Sequence, residues 1–210
     1  MVRSRYARLP QDQQRTIERA ALDEFAAHGF HDASLNRVLE ASGMSKGSLY
    51  YHFDGKEDLY VHVARVELER LFDGLGSFPL PETGGPDAFW AAVEDHYLRI
   101  VTVLAGTPKL AALLRGWIAA SGNPALQQAQ EELAQLIEPW TGRALAAGRA
   151  AGAVRTDLPP GLLVAVVFGM GQAMDTWLLA HEPEDPEREL PGLVRALVGM
   201  IRGALAPPGL

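Results

Sequence analysis

SLNRVLEASGMSKGSLYYHFDGK, residues Ser34–Lys56, is the stretch whose reading decides the fold. It reads as two short helices joined by a tight turn. Ser34 is placed to cap the first helix, Leu35, Val38 and Leu39 supply its buried side, and Gly43 permits the sharp turn that follows. Ser45 is placed to cap the second helix. That helix puts Lys46, Ser48, Tyr50, Tyr51 and His52 around its outer surface, while Leu49 and Phe53 point back into the core. Tyr50 and Tyr51 are adjacent and diverge around the helix, so one of them is expected to be partly buried. Cations, hydroxyls and aromatics facing outward make a surface suited to nucleic acid.

Working outward, the segment before this pair contains Ile17, Ala20, Ala21 and Phe25 at helical spacing. A helix is predicted from about Gln11 to His28, with Gly29 as its stop. Residues 11–53 therefore make a three-helix unit with the turn-linked pair at its end, a helix-turn-helix DNA-binding domain. Ahead of it, Arg3, Arg5 and Arg8 stand with no acid among them, and the segment reads as a solvated tail rather than a minor-groove arm. After it, Asp54 and Glu57 take the cap and third positions of a long connector helix ending near Gly74, with Tyr60, Ala64, Leu68, Leu71 and Phe72 on its buried face. Residues 73–88, rich in Gly and Pro, read as a loop.

Five more helical segments are expected beyond the loop, and nothing alternates with a period of two, so the fold class is all-α with nine helices. They run from about Asp87 to Ala105, from Pro108 to Ala120, from Pro124 to the Gly148–Gly152 region, from Leu158 to Met174, and from about Pro191 to Leu205. The domain reading is a DNA-binding domain at 1–54 and an effector-binding and dimerisation domain at 55–210, with the connector helix at 55–74. The 17 residues Leu158–Met174 carry no charge and fall short of a membrane span, which points to a buried helix. The last helix is apolar on two faces, more than one monomer would cover. With small residues at Gly169, Gly171, Gly199 and Gly203, this pair is expected to form an intersubunit four-helix bundle through Val167, Gly171, Leu193, Leu197, Met200 and Ile201. An ordinary intramolecular core is the other reading.

The chain has 210 residues, 48% of them apolar, and a formal charge of −7. That is enough apolar content for a real core, and the acidity argues against a chain that coats DNA by bulk electrostatics. The charge is uneven, however. Residues 1–52 carry seven Lys/Arg against six Asp/Glu, and residues 61–210 carry eleven against seventeen. With no cysteine there is no disulfide framework, thiol nucleophile or Cys-based zinc site, and MVRSRYARLPQDQ lacks the apolar core of a signal peptide. A cytoplasmic location is the expectation. The six histidines form no convincing metal pair, Asp58 and His62 included, and no metal or cofactor is expected.

The run from Phe25 to Tyr60, with Gly29-Phe30, Ser34, Ala41-Ser42-Gly43, Ser45-Lys46-Gly47-Ser48-Leu49-Tyr50-Tyr51-His52-Phe53 and Lys56-Glu57-Asp58-Leu59, resembles the N-terminal signature of the TetR family of transcriptional regulators. The later run Gly152–Pro159 resembles the family's junction before its penultimate helix. Leu39 departs from the small Ala that the family often has in its second helix. The resemblance implies a homodimeric repressor-type protein that binds a near-palindromic operator in double-stranded DNA and is released by a small molecule. On it, Ser34 and Ser45 offer hydroxyls and backbone N–H groups to phosphates, and Gly47 removes a side chain where the recognition helix meets DNA. Lys46, Ser48, Tyr50, Tyr51 and His52 contact groove or backbone, and Lys56 resembles the family's phosphate-contacting lysine. Phe89, His96, Tyr97, Trp117, Trp140, Phe168, Met170, Met174 and Trp177 are the effector-pocket candidates, and their bulk suggests a lipophilic or aromatic ligand. Arg115 and Asp175 could fix a ligand's charge, with opposite signs. No membrane partner is implied.

Two other functions compete. Gly43-Met44-Ser45-Lys46-Gly47 satisfies G-x-S-x-G, the nucleophile-elbow pattern of hydrolases, but the preceding residues have helical spacing where an elbow needs a strand. A helical adaptor that binds protein rather than DNA is the third class.

Overall fold

The computed structural model describes residues 6–76, 84–119, 123, 124, 126, 141–181 and 183–208, and the account below concerns those residues. Among them there are helices and no strand, in agreement with the all-α expectation. The helices group into two compact units. One comprises Met1–Arg70 with Thr107–Glu131, the other Leu71–Gly106 with Glu132–Leu210. The boundary expected after residue 54 falls inside the first unit.

The first unit contains a 3-10 turn at Tyr6–Arg8, α1 (Gln11–Asp32), α2 (Leu35–Ser42), α3 (Lys46–His52), the greater part of α4 (Lys56–Leu75) and α6 (Pro108–Ala119). In α1 the apolar spacing of Ile17, Ala21 and Phe25 builds the inner face, and Gly29, at φ 67° and ψ −179°, breaks the helix before a last turn through Phe30. Gly43 ends α2 in the left-handed conformation that glycine adopts without strain, at φ 67°. These residues close over a core of Phe25, Val38, Leu49, Phe53, Leu59 and Tyr60, the last fully enclosed. Tyr60 donates its hydroxyl to the Leu113 carbonyl on α6 at 2.7 Å and stacks on Trp117 with centroids 5.8 Å apart.

Several local expectations are corrected. Ser34 occupies the cap position of α2 without a side-chain cap bond. Its backbone N–H donates to Glu24 Oε1 at 2.6 Å, so a carboxylate of α1 anchors the start of α2. At the start of α4, which begins at Lys56, two residues after Asp54, the Asp58 carboxylate accepts the Asp54 N–H at 3.1 Å. Leu35 and Leu39 are half-buried, leaving Val38 as the enclosed residue of α2, and Phe72 is exposed. Tyr6, read as part of a solvated tail, is 3% exposed.

The second unit holds α5 (Gly85–Gly106), a helix over residues 141–150 (α7), α8 (Pro160–Ala180) and α9 (Pro186–Leu205). Gly152 at φ 71° turns the chain after α7, where the Ala153 N–H donates to the Gly148 carbonyl at 2.7 Å. Phe89, Trp90, Val154, Leu163, Val194, Val198 and Leu205 form its core. The helix expected from Pro124, with Ala129, Leu133, Leu136, Ile137 and Trp140, lies mostly outside the described residues, as does much of the loop. α9 begins at Pro186 rather than Pro191, because Asp185 caps it by accepting the Arg188 N–H at 3.3 Å.

α8 differs most from its expectation. It runs 21 residues, is long and apolar enough to cross a membrane by length and composition, and has 11% of its most apolar 18-residue window buried within the chain. The 17-residue run is extended because the helix continues through Asp175, whose carboxylate accepts the Tyr97 hydroxyl at 2.8 Å. It is not buried by its own chain: Leu163, Met174 and Leu179 are enclosed, while Leu162 and Trp177 stay near half exposed.

Candidate nucleic-acid interface

α3 is seven residues long and packs through one narrow face, Leu49, His52 and Phe53. Ser45 caps it by accepting the Ser48 N–H at 3.2 Å. That leaves Lys46, Gly47, Tyr50 and Tyr51 exposed and Ser48 half-exposed. Both tyrosines face solvent, at 44% and 50%, where one was expected to be partly buried, because so short a helix has only one packed edge. His52, expected on the outside, is 5% exposed; it lies three residues after Leu49 and shares its inward face. A Cβ on Gly47 would meet no atom within 4 Å, and its φ is not positive, so nothing inside the chain requires glycine there.

The supporting residues lie on α1 and α4. Glu24 holds α2 through the Arg37 guanidinium, whose Nε stands 2.9 Å from the carboxylate, and through the Ser34 N–H. The Arg37 hydrogen bond keeps the Glu24 carboxyl below its ordinary pKa, against the opposing effect of burial. Glu18, also buried, accepts from Tyr6 Oη at 3.1 Å and Arg70 at 2.6 Å and lies 3.3 Å from His62 Nε2. Burial pushes its pKa upward, but the bonds from His62 and Arg70 outweigh that and hold it below the ordinary value. Lys56, expected to face phosphate, donates to the carbonyls of His31 at 2.7 Å and Ala33 at 3.2 Å, closing the C-terminal end of α1, with the Phe30 ring 5.0 Å below it.

Sequence reading missed Tyr6, Glu18, Glu24, Arg37 and Arg70. A signal for two of them existed: Glu18 and Glu24 sit on the same stripe as Ile17, Ala21 and Phe25, and a carboxylate on a buried stripe requires a cationic partner.

The effector candidates differ in their surroundings. Phe89, His96 and Met174 are enclosed, Phe168 and Met170 are half-buried, and Trp177 stacks on His181 with centroids 4.3 Å apart. Burial, followed by the charge of Arg99, lowers the His96 pKa. Trp117 belongs to the first unit, and Trp140 lies outside the described residues. A cleft of about 440 Å³ is lined instead by Arg155, Gly199, Arg202, Gly203 and Ala206–Pro208. Of the dimer candidates, Met200 is 53% exposed and Val167, Gly171, Leu193 and Ile201 are partly so, while Leu197 turns into its own core at 9%. Ser45 follows a helix and a turn, so it lacks the strand that a nucleophile elbow needs. Among the described residues, no group of three or more His, Asp or Glu could hold a metal ion.

The model for "Bacterial regulatory proteins, tetR family" matches residues 17–63, which span the interior of α1 through α3 and the first part of α4. The HTH-type transcriptional repressor Rv1474c of Mycobacterium tuberculosis is 30% identical over 66% of this chain and 67% of its own length. The chain belongs to the TetR family. It is a transcriptional regulator with a helix-turn-helix DNA-binding element, as its signature residues implied. The HTH-type transcriptional activator FasR of Mycolicibacterium smegmatis is 33% identical, over 43% of this chain and 42% of that protein. The match thus spans about two thirds of the first relative and less than half of the second. Among solved TetR-type folds, the transcriptional regulator FadR of Bacillus subtilis in complex with stearoyl-CoA superimposes with a TM-score of 0.68 at 19% identity, covering 90% of this chain and 97% of that one.

Proposed function

We propose that this regulator is a homodimeric, ligand-responsive repressor of the cytoplasm that places α3 of each protomer in successive major grooves of a near-palindromic operator. The observation that supports this most is the outer face of α3. An exposed lysine and two exposed tyrosines surround a glycine that the chain's own packing does not require. A glycine that serves no internal purpose fits a helix surface approached closely by another molecule. Lys46, Ser48, Tyr50 and Tyr51 are the contacting side chains, while Ser34 and Ser45 present helix N-termini to phosphates. His52 and Lys56 act from behind, the first by seating α3 and the second by closing α1.

The largely uncovered α8 with Met200 of α9 supports pairing with a second copy, whose α8 and α9 would complete a four-helix bundle. A dimer would hold the two α3 helices about 34–36 Å apart, one turn of DNA. The effector is a lipophilic or aromatic small molecule bound in the second unit. It acts by favouring a dimer shape with a different spacing, and a thousandfold loss of operator affinity requires about 4 kcal/mol of differential binding between the shapes.

Selection of bound sites from random duplex DNA, followed by a screen for compounds that release the selected site, tests the reading. An enriched palindrome whose binding is lost in the Lys46→Ala, Tyr50→Ala variant is expected. Failure to enrich any palindrome, or binding that survives both substitutions, would favour the protein-binding adaptor instead.

A further inference from the structure

At the junction between α1 and α2, side chains take the backbone groups of four consecutive residues. Lys56, at the start of α4, donates its Nζ to the carbonyls of His31 at 2.7 Å and Ala33 at 3.2 Å. Arg37, on the first turn of α2, donates its Nη2 to the Asp32 carbonyl between them at 2.9 Å. The Ser34 N–H donates to Glu24 Oε1 at 2.6 Å. Two cations therefore meet on adjacent carbonyls of the first unit.

They are not spent in the same way. An ammonium has three donors, and two of those on Lys56 go to carbonyls while the Phe30 ring lies 5.0 Å from its Nζ. Its charge is directed into the fold. Arg37 is held by Glu24, with Nε 2.9 Å from both carboxylate oxygens and Nη2 2.6 Å from Oε1. All of its bonds use Nε or Nη2, and none to a described residue uses Nη1. The Glu24 side chain is 8% exposed and that of Arg37 49%, so the negative partner is enclosed while the guanidinium meets solvent. A planar fork fixed by one carboxylate keeps its remaining donors oriented, and it loses little further freedom when a second anion arrives.

The position of Arg37 suits that second anion. In a helix-turn-helix pair the second helix enters the groove while the first crosses the sugar-phosphate backbone. α2 is the first helix of this pair, and Arg37 stands beside the exposed Asn36 on its opening turn. The exposed acids on either side in sequence, Asp32 and Glu40, form no ion pair with it among the described residues.

We propose that Arg37, rather than Lys56, makes the phosphate contact at the α1–α2 junction, with Glu24 as the positioning residue that holds its guanidinium in place. This rests on the reading of α3 as the DNA-contacting helix. The contact adds affinity and fixes register without base choice, because a phosphate is the same whatever base it carries.

The test is a fluorescence-anisotropy titration of the full chain on a duplex enriched from random-sequence DNA, repeated between about 50 and 200 mM salt, where the slope of log affinity on log salt counts the phosphates neutralised. Arg37→Gln is expected to make the slope shallower by about 0.9 per protomer. Arg37→Lys, which keeps the charge and loses the fork, should restore the slope while binding more weakly than the parent. Glu24→Gln loosens the same anchor of α2 but leaves the cation, and Lys56→Gln releases the carbonyls; each should weaken binding by one factor at every salt concentration, with the parental slope. A parental slope in Arg37→Gln overturns the proposal, as does an equal fall in Glu24→Gln, which would make the effect one of α2 packing. A shallower slope in Lys56→Gln also overturns it, by giving the contact to Lys56. If Lys46→Ala with Tyr50→Ala abolishes binding while Arg37→Gln keeps the parental slope, only this contact is refuted. If that α3 variant binds like the parent, the reading of α3 falls with it.

Discussion

Gly116 on α6 offers a test of the packing inside the first unit. An alanine Cβ built there would lie 2.9 Å from the Tyr60 hydroxyl oxygen, with the Phe30 nitrogen and Gly29 Cα at 3.8 and 3.9 Å in ordinary contact. The hydroxyl cannot easily yield. Tyr60 is fully enclosed, donates to the Leu113 carbonyl at 2.7 Å, stacks on Trp117 and meets Phe25 edge-on at 4.7 Å. Overpacking of this kind costs about 1–3 kcal/mol, and the better helix propensity of alanine offsets about 0.8–1 kcal/mol of it. Gly116→Ala is therefore expected to destabilise by about 1 kcal/mol. Tyr60→Phe alone should cost a similar amount, through loss of a buried hydrogen bond. In the double variant the clashing atom is gone, so the alanine should become neutral or stabilising relative to Tyr60→Phe. Thermal melts of the four proteins read the cycle, at roughly 2–4 °C per kcal/mol for a chain of this size. If Gly116→Ala lowers the melting temperature equally in both backgrounds, the contact with the hydroxyl is not the cause and the reasoning is wrong.

Other consequences are more direct. Gly148→Ala should destabilise more than Gly116→Ala, since its Cβ would meet Val154 Cγ2 at 2.5 Å and Phe89 Cζ at 2.8 Å, both on buried side chains; a parental melting temperature would refute it. Glu18 and Glu24 have folded pKa values below the ordinary glutamate value of 4.5, so their contribution to stability is complete above that pH and is lost as pH falls through the lower folded values. Denaturant melts across this range should show Glu24→Gln with a flatter acid limb than the parent. His96, whose pKa is lowered from 6.5, should make stability decline as pH falls below that value, because the unfolded chain then takes a proton that the folded one refuses; His96→Gln should remove this component. Met200→Glu, at a position 53% exposed in the single chain, should shift the protein from dimer to monomer in light scattering without lowering its helicity, and an unchanged mass would count against the proposed bundle.

The turn-linked pair was legible because its signals are local. Gly43 and Ser45 each act within four residues, and spacing alone turns Leu49 and Phe53 inward. What escaped reading depends on partners distant in sequence. Glu24 takes over at Ser34 through a contact ten residues away, and Tyr6 finds Glu18 twelve residues on. His52 was placed outside because it is polar, although its spacing from Leu49 already put it on the buried side. The effector candidates were chosen by bulk, and bulk does not separate Trp117, which stacks on Tyr60 in the first unit, from Phe89 in the core of the second. The uncharged run ends at Met174, but the helix continues through Asp175, whose partner Tyr97 is 78 residues away.

The membership of α6 in the first unit bears on how the protein is made. Its DNA-binding portion is discontinuous along the chain, since Tyr60 finds its hydroxyl partner at Leu113 and its ring partner at Trp117. On a ribosome adding about 5–20 residues per second, α1 to α3 emerge several seconds before the helix that covers them is complete. During that interval Tyr60 has no lid, and α5 is synthesised before α6. A gene fragment cut after α3 or α4 would encode the residues proposed to face DNA but not the wall they lean on, so the shortest piece able to hold α3 in its native setting extends at least through α6.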